Sequence, residues 1–261
     1  LKIPPRFLNI SIEDYKRTSL REEAWSSNDF RFFMDNFENL SANLGLENIK
    51  KLLLSQNHEN KSLLHEIILN ADDELLEPFL VKVEQTLSHS ELFTWFSMLD
   101  ENLQTSLMLA AKLKSKLFLQ SYFNVLNRTL TENEVRNLLK IEDKSLWTAL
   151  QFSALNKNPS SFKFVSETYK KFLNESEIRE IILKVQSGRL PFIYDVIEES
   201  STENCREVAE FLKNLFEANK IDLRKFLSHV DDVGRSIFNK AENNPNVPIF
   251  IHLFHETFEK N

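Results

Sequence analysis

The chain has 261 residues, of which 42% are hydrophobic and 27% charged, and its formal net charge is −7 at pH 7. This composition can bury a core, which excludes a disordered chain. The acidic balance argues against a dedicated nucleic-acid binder and against an anionic membrane surface as the main partner, because both are bound through Lys and Arg.

Residue usage also indicates the secondary structure and the compartment. Only three glycines are present, too few for the glycine-rich loops that cradle phosphates or for many β-hairpin turns. Long stretches with a 3.6-residue apolar period indicate an all-helical chain. No segment approaches ~18 uninterrupted apolar residues, so no transmembrane helix is predicted. The single cysteine, Cys205, cannot form an intramolecular disulfide and indicates a reducing compartment, the cytosol or the nucleus.

The N-terminal part, residues 1–44, differs from the rest of the chain. Residues 6–25 are irregular, and residues 28–40 form an apolar-rich helix. Phe33 and Phe37 stand 43 positions before Leu76 and Leu80, which belong to a later helix. We therefore predict a half repeat that caps an array of helical repeats.

Short helices with the same start recur every 43 residues. Each begins with a capping residue that is followed three positions later by Glu, which is the pattern of a capping box or, with Asn, a close variant. The pairs are Ser88 and Glu91, Thr131 and Glu134, and Asn174 and Glu177. Apolar residues keep this register back to residues 49–53 and forward to residues 223–227.

An inner helix and an outer helix follow each short helix. The inner helices share an apolar column at Leu64, Leu107, Leu150, Phe192 and Phe238. The amphipathic outer helices are predicted near residues 74–86, 116–128, 161–173, 204–217 and 247–259. Periods of 20–50 residues indicate stacked repeats, each covering the apolar face of the next. The predicted fold is an all-α helical-repeat solenoid over residues 45–261, with repeats near residues 45–86, 87–129, 130–172, 173–218 and 219–261.

The turn and inner helix of these repeats resemble the ankyrin repeat, whose pattern is D-x-x-G-x-T-P-L-H-x-A-A. The matching stretches are DDVGRSIFNKAE from Asp231, DENLQTSLMLAA from Asp100, DKSLWTALQFSA from Asp143 and NHENKSLLHEII from Asn57. The resemblance covers roughly residues 45–260. It implies about five degenerate ankyrin-like repeats, in which His65 bonds to nearby backbone.

The chain departs from this pattern in several places. Leu103, Leu146 and Asn60 occupy the place of the turn glycine, and Leu190 replaces Thr in the fourth repeat. The period is 43 residues instead of the family's ~33, because an extra short helix precedes each turn. The alternative is an armadillo or HEAT array, whose period of about 40–47 fits the length better. We favour ankyrin-like repeats because the Thr–Leu–Ala frame starts the inner helix as it does in that family.

No catalytic, cofactor or metal site is predicted. His252 and His255 lie on one helix face, but they lack the H-E-x-x-H spacing and a third ligand. No motif places a histidine beside Cys205, so we do not expect a nucleophile there.

The predicted function is a non-catalytic scaffold or adaptor that binds another protein or a peptide. By resemblance, the turns and inner helices line the concave face that binds partners, and Trp147 stands at a variable turn position that faces outward. The candidate contacts are Lys61, Gln104, Met108, Trp147, Gln151, Arg189, Ile193, Arg235 and Asn239. Neither a membrane nor nucleic acid is expected as a partner. The alternatives are an armadillo or HEAT-type solenoid that binds nucleic acid, and a part of a larger enzyme or channel.

Overall fold

The computed structural model describes residues 27–256. Every regular element within this range is a helix, which confirms the all-helical prediction. None of the described helices is both long and apolar enough to cross a bilayer. The irregular segment predicted at residues 6–25, and the last residues of the final outer helix, lie outside the described residues.

The helices follow one another in the predicted order of short, inner and outer helix. Two helices precede the first repeat, and the bounds of all described helices are as follows. They are α1 Ser27–Asp35, α2 Phe37–Leu44, α3 Leu46–Leu53, α4 Leu63–Asn70, α5 Leu76–Thr86, α6 His89–Phe96, α7 Ser106–Leu113, α8 Lys116–Thr129, α9 Glu132–Leu139, α10 Ala149–Ala154, α11 Pro159–Phe172, α12 Glu175–Leu183, α13 Ile193–Glu199, α14 Thr202–Leu215, α15 Lys220–Leu227, α16 Ile237–Lys240 and α17 Val247–Glu256. A short 3-10 helix, Asp73–Leu75, leads into α5.

The helices group into two compact units. The first runs to Leu109 and includes Gln120–Val135, and the second consists of Ala110–Leu119 and the chain from Arg136 onward. In the first unit, aromatic rings form the centre of the core. The ring centroids of Phe33 and Phe79 are 6.3 Å apart, and those of Phe79 and Trp95 are 6.0 Å apart. All three side chains are fully buried, so the hydrophobic core joins α1, α5 and α6.

Buried asparagines join consecutive repeats in the second compact unit. The Nδ2 of Asn156 donates to the carbonyl oxygens of Ala111 and Lys114, each at 2.9 Å. The Nδ2 of Asn204 donates to the carbonyl of Ala154 at 2.6 Å, and the Nδ2 of Asn246 donates to that of Ile197 at 3.2 Å. These acceptors lie at the ends of inner helices, where carbonyls have no partner within the helix. Each amide therefore completes the inner helix of the preceding repeat.

The predicted capping boxes are present at the start of α6, α9 and α12. The N–H of Ser88 donates to Glu91 at 2.7 Å, that of Thr131 to Glu134 at 2.8 Å and that of Asn174 to Glu177 at 2.9 Å. The capping side chains accept the N–H of these glutamates in return.

Glu177 takes part in further contacts. Hydrogen bonds from Lys140 and from the Asn174 N–H lower the pKa of Glu177 to about 2. The carboxylate is therefore charged across the physiological range.

Hydrogen bonds and ion pairs connect outer helices one repeat apart within each compact unit. In the first unit, Arg128 of α8 binds Glu84 of α5, with a shortest distance of 2.5 Å. In the second unit, Lys213 of α14 binds Glu256 of α17 at 3.0 Å. These partners are separated by 44 and 43 positions. The period that is visible in the sequence is therefore also the spacing of contacts between neighbouring repeats.

Candidate protein-interaction surface

Four turns between short and inner helices share one hydrogen-bonding pattern. Their first residues are Asn57, Asp100, Asp143 and Asp231, and each side-chain Oδ1 accepts the backbone N–H groups two and four positions later. The N–H of each first residue also donates to the carbonyl four positions on, at 2.9–3.0 Å. Such bonding by Asn and Asp rigidifies a turn without other elements.

The fourth residue of each of these turns has a positive φ. The angles are 55° at Asn60, 60° at Leu103, 64° at Leu146 and 80° at Gly234. A left-handed conformation costs a leucine about 1–2 kcal/mol. The turn therefore keeps its geometry where leucine stands in place of glycine. In the fourth repeat the N–H of Arg189 donates to the carbonyl of Gln186 in the same way, but the positive φ, 77°, stands one position earlier, at Gly188.

The end of each turn leads into the inner helix through a capping hydroxyl. Thr148 accepts the N–H of Leu150 at 3.3 Å, and Ser236 accepts that of Asn239 at 3.3 Å. In the first repeat, His65 completes the cap. Its Nδ1 accepts the N–H of Ser62 at 3.2 Å, and its Nε2 lies 3.0 Å from the carbonyl oxygen of Gln104. Burial lowers the pKa of His65 from its usual 6.5, so the ring is neutral at pH 7 and Nε2 donates to this carbonyl.

Turns of consecutive repeats contact each other within each compact unit. In the first unit, the N–H of Glu101 donates to the carbonyl of Glu59 at 2.9 Å. In the second unit, Nη1 of Arg189 donates to Oγ of Ser145 at 3.2 Å, and the N–H of Asp232 lies 3.4 Å from the carbonyl of Gly188. Neighbouring turns are thereby joined directly to each other.

Six of the nine predicted partner-contact residues lie at or partly at the surface. Arg189, Arg235 and Asn239 are exposed, and Lys61, Gln104 and Trp147 are half-buried. Trp147 packs edge-on against Phe152, with ring centroids 5.7 Å apart. This contact covers part of the indole and holds the ring in one orientation.

The other three predicted residues, Met108, Gln151 and Ile193, are buried. Their side chains are therefore not available at the surface of the chain. The polar Gln151 is satisfied internally, because its Oε1 accepts the N–H of Thr148 and its Nε2 donates to the carbonyl of Ile181. The inner helix α10 has only six residues, and neighbouring elements cover the positions that a family pattern would expose.

The sequence prediction missed Tyr194 and Lys240. Nζ of Lys240 lies 4.6 Å from the ring centroid of Tyr194, a cation–π contact between consecutive repeats. Burial, and next the charge of Glu199, raise the pKa of the adjacent Asp195 to about 6, while Arg189 and Lys240 act in the opposite direction. The sequence does place an aromatic residue and a lysine on successive inner helices, but the ankyrin pattern gives neither position a special role.

We define the turn surface as Trp147, Arg189, Tyr194, Arg235 and Lys240, all in the second compact unit. It combines two half-buried aromatic rings with three exposed cations. Arg235 is held by Asp231 at 3.1 Å.

Groups with reactive or metal-binding chemistry do not converge on this surface. Within residues 27–256, no cluster of three or more His, Cys, Asp or Glu side chains could hold a metal ion. Nε2 of His252 lies 3.6 Å from Glu256. Cys205 is buried, and burial raises the pKa of its thiol to about 12.

Comparison with known proteins adds no family assignment. The chain matches no family model, and no curated protein shows significant similarity to it.

Proposed function

We propose that the chain is a non-catalytic protein-interaction module that binds a peptide segment of a partner protein on the turn surface. The observation that carries this proposal is that aromatic and cationic side chains on consecutive turns and inner helices are each held by a contact with another residue. Trp147 rests on Phe152, Arg189 reaches Ser145 of the preceding turn and Lys240 covers Tyr194. Side chains that are already ordered lose little entropy on binding.

We further propose that the repeats are divergent ankyrin-like units stacked as a solenoid. The repeated turn supports this interpretation, since an Asp or Asn opens it and a residue with positive φ stands three positions later. A Ser or Thr then caps the inner helix. Single antiparallel bridges close the turn at Gln56 and Ser62, at Leu99 and Thr105, and at Val230 and Ser236. In an ankyrin repeat a β-hairpin stands at this place, and we interpret each single bridge as a shortened form of that hairpin.

The chemistry of the turn surface defines the partner segment. Trp and Arg are the residue types most often responsible for binding energy at interfaces. The ring of Trp147 would take an apolar side chain, and the exposed Arg189 and Lys240 would bind carboxylates, Arg189 through paired hydrogen bonds. We therefore propose an extended segment with an apolar anchor that is flanked by acidic residues.

The proposal is tested with the full chain and a double variant, Trp147→Ala with Arg189→Glu. The matched control is Leu117→Ala with Arg206→Glu, which changes an exposed apolar residue and an exposed arginine outside the turns. Partners are captured by cross-linking, identified and purified, and their Kd is measured directly. We expect the turn variant to weaken binding by roughly thirtyfold, or about 2 kcal/mol, and the control to bind as the parent does.

Circular dichroism of both double variants should match that of the parent, because the four substituted side chains are exposed or half-buried. Equal binding by both variants would refute the turn surface as the binding site. Loss of binding in the control alone would place the site on the outer helices.

A further inference from the structure

Consecutive turns contact each other through the third residue of the earlier turn. In three places an oxygen of this residue accepts a hydrogen bond from the next turn, and these residues are Glu59, Ser145 and Gly188. The N–H of Glu101 donates to the carbonyl of Glu59 at 2.9 Å, and that of Asp232 lies 3.4 Å from the carbonyl of Gly188. The third position is therefore where a turn binds the turn that follows it.

The residue directly before a turn also contacts the following repeat. Nε2 of Gln56 donates to the carbonyl of Leu99 at 2.8 Å, and Glu142 forms an ion pair with Lys184. The first and third turns thus use both positions to bind the repeat that comes next, and in both turns the two side chains are polar. Because they contact the same neighbour, the two positions lie on one side of the turn.

The fifth turn carries valines at both of these positions. Val230 precedes Asp231, the first residue of the turn, and Val233 is its third residue. Val230 is 47% exposed and Val233 is 68% exposed. No further turn of this kind follows within residues 27–256, and no described residue donates a hydrogen bond to the carbonyl of Val233. Since a repeat array that ends in water needs a polar outer face, these valines indicate a surface that another molecule covers.

The backbone of the fifth turn has acceptors to offer but no donors. Every N–H from residue 231 to residue 235 is already bonded, four of them within the turn and that of Asp232 to Gly188. A symmetric contact with the fifth turn of a second copy would therefore bring acceptors against acceptors. The covering molecule has to supply N–H groups of its own.

An extended chain is the backbone form that supplies such groups beside apolar side chains. In a helix, only the first turn has N–H groups without an intrahelical partner. Val230 and Ser236 form a single antiparallel bridge, so the fifth turn ends in a short β-edge. An edge with unused acceptors is a template for an added extended segment, and valine is a residue that packs well in such pairings.

We infer that the fifth turn binds an extended segment of another protein, which adds to this edge. A backbone N–H of the segment donates to the carbonyl of Val233, as the second turn donates to the first. An apolar side chain of the segment packs against Val230 and Val233. This contact goes beyond the proposed binding on the turn surface and does not involve Trp147.

The inference is tested with the full chain and a display library of random peptides. Peptides are selected on the parent chain after depletion on Val233→Asp, and their Kd values are measured by calorimetry. Val230→Asp should weaken their binding at least roughly tenfold, because a carboxylate would then face an apolar side chain. Each peptide is also made with single peptide bonds replaced by esters, which removes one N–H at a time. One ester next to the apolar residue should weaken binding by roughly fivefold, the cost of one hydrogen bond.

Matched controls are Leu117→Asp, at a residue that is 75% exposed and outside the turns, and Trp147→Ala. Both should bind the peptides as the parent does, and thermal melts of the three aspartate variants should superimpose, since all three side chains are exposed. A library that yields no peptide sensitive to Val230→Asp overturns the inference, and so do peptides that bind as helices or tolerate every ester. A parent chain that dimerises through Val233 overturns it too, because a second copy would then cover the edge. Loss of peptide binding with Trp147→Ala but not with Val230→Asp overturns it while leaving the proposed function intact.

Discussion

Replacing Asn156 by alanine should destabilise the second compact unit by about 4–6 kcal/mol. The side chain is 4% exposed, and its amide donates to the carbonyls of Ala111 and Lys114. Its Oδ1 accepts the N–H of Asn158 at 2.9 Å. Each lost hydrogen bond costs about 1 kcal/mol, and a buried carbonyl left without a partner adds about 1–3 kcal/mol. The carbonyl of Lys114 keeps a contact from Ser161, so only that of Ala111 is stranded.

Asn156→Asp separates hydrogen bonding from packing. The aspartate has almost the same shape, but its carboxylate would face two carbonyl oxygens. At pH 7 this variant should therefore be less stable than Asn156→Ala, and the difference should shrink as the pH falls and the carboxyl group binds a proton. Asn158→Ala, which removes an exposed helix cap, should cost only about 1 kcal/mol.

The measurement is urea unfolding followed by circular dichroism at pH 7 and at pH 4. The free energy of unfolding is compared among the parent chain and the three variants. An Asn156→Ala variant within about 0.5 kcal/mol of the parent, which is the range of ordinary surface substitutions, would refute the reasoning. So would an aspartate variant as stable as the parent at pH 7.

Three further predictions follow from single residues. Because burial lowers the pKa of His65 below 6.5, its contribution to stability should be complete above pH 6.5 and decline as the pH falls below that value. The difference between parent and His65→Asn in urea midpoints should therefore shrink on acidification, and a constant difference would contradict the assignment. Gly234→Ala should lower the free energy of unfolding by about 1 kcal/mol. A Cβ at this position would meet no atom within 4 Å, so the cost comes from the φ of +80°, which is unfavourable for alanine. A thermal melt that shows an unchanged or more stable variant would be inconsistent with strain at this turn. Cys205 is buried with a thiol pKa of about 12, so iodoacetamide should label it only as fast as the protein unfolds, whereas rapid labelling of the folded chain would show that the thiol is accessible.

Local features of the fold could be predicted from the sequence. The capping box at Thr131 and Glu134 involves residues of one helical turn, so its hydrogen bonds are encoded by two side chains and their spacing. The turn that starts at Asp143 is similar, since its side chain bonds to N–H groups within four positions. Leu146 keeps the positive φ of the glycine it replaces, because these bonds determine the turn.

Features that depend on distant contacts could not be predicted. Asn156 and Asn246 lie in links and Asn204 lies in the first turn of α14, where a sequence pattern expects polar residues to be exposed. Each is nevertheless buried by its bonds to the preceding inner helix. Gln151 was expected at the surface because the resemblance to ankyrin repeats places inner-helix positions on the face that binds partners. Its buried position results from an acceptor 30 residues away, the carbonyl of Ile181, which no local pattern reveals.

The capping-box glutamates each serve two neighbours, and this has a consequence for how the protein acquires its structure. Glu134 completes the start of α9 and also receives His89 from the repeat before it. The helix α9 is therefore most stable when the preceding repeat has already folded, and His89, which binds Glu134, lies only 45 positions upstream. Because these contacts join repeats that are close in sequence, each short helix can fold against the preceding repeat as it leaves the ribosome. We therefore expect the repeats to assemble in the order in which they are translated.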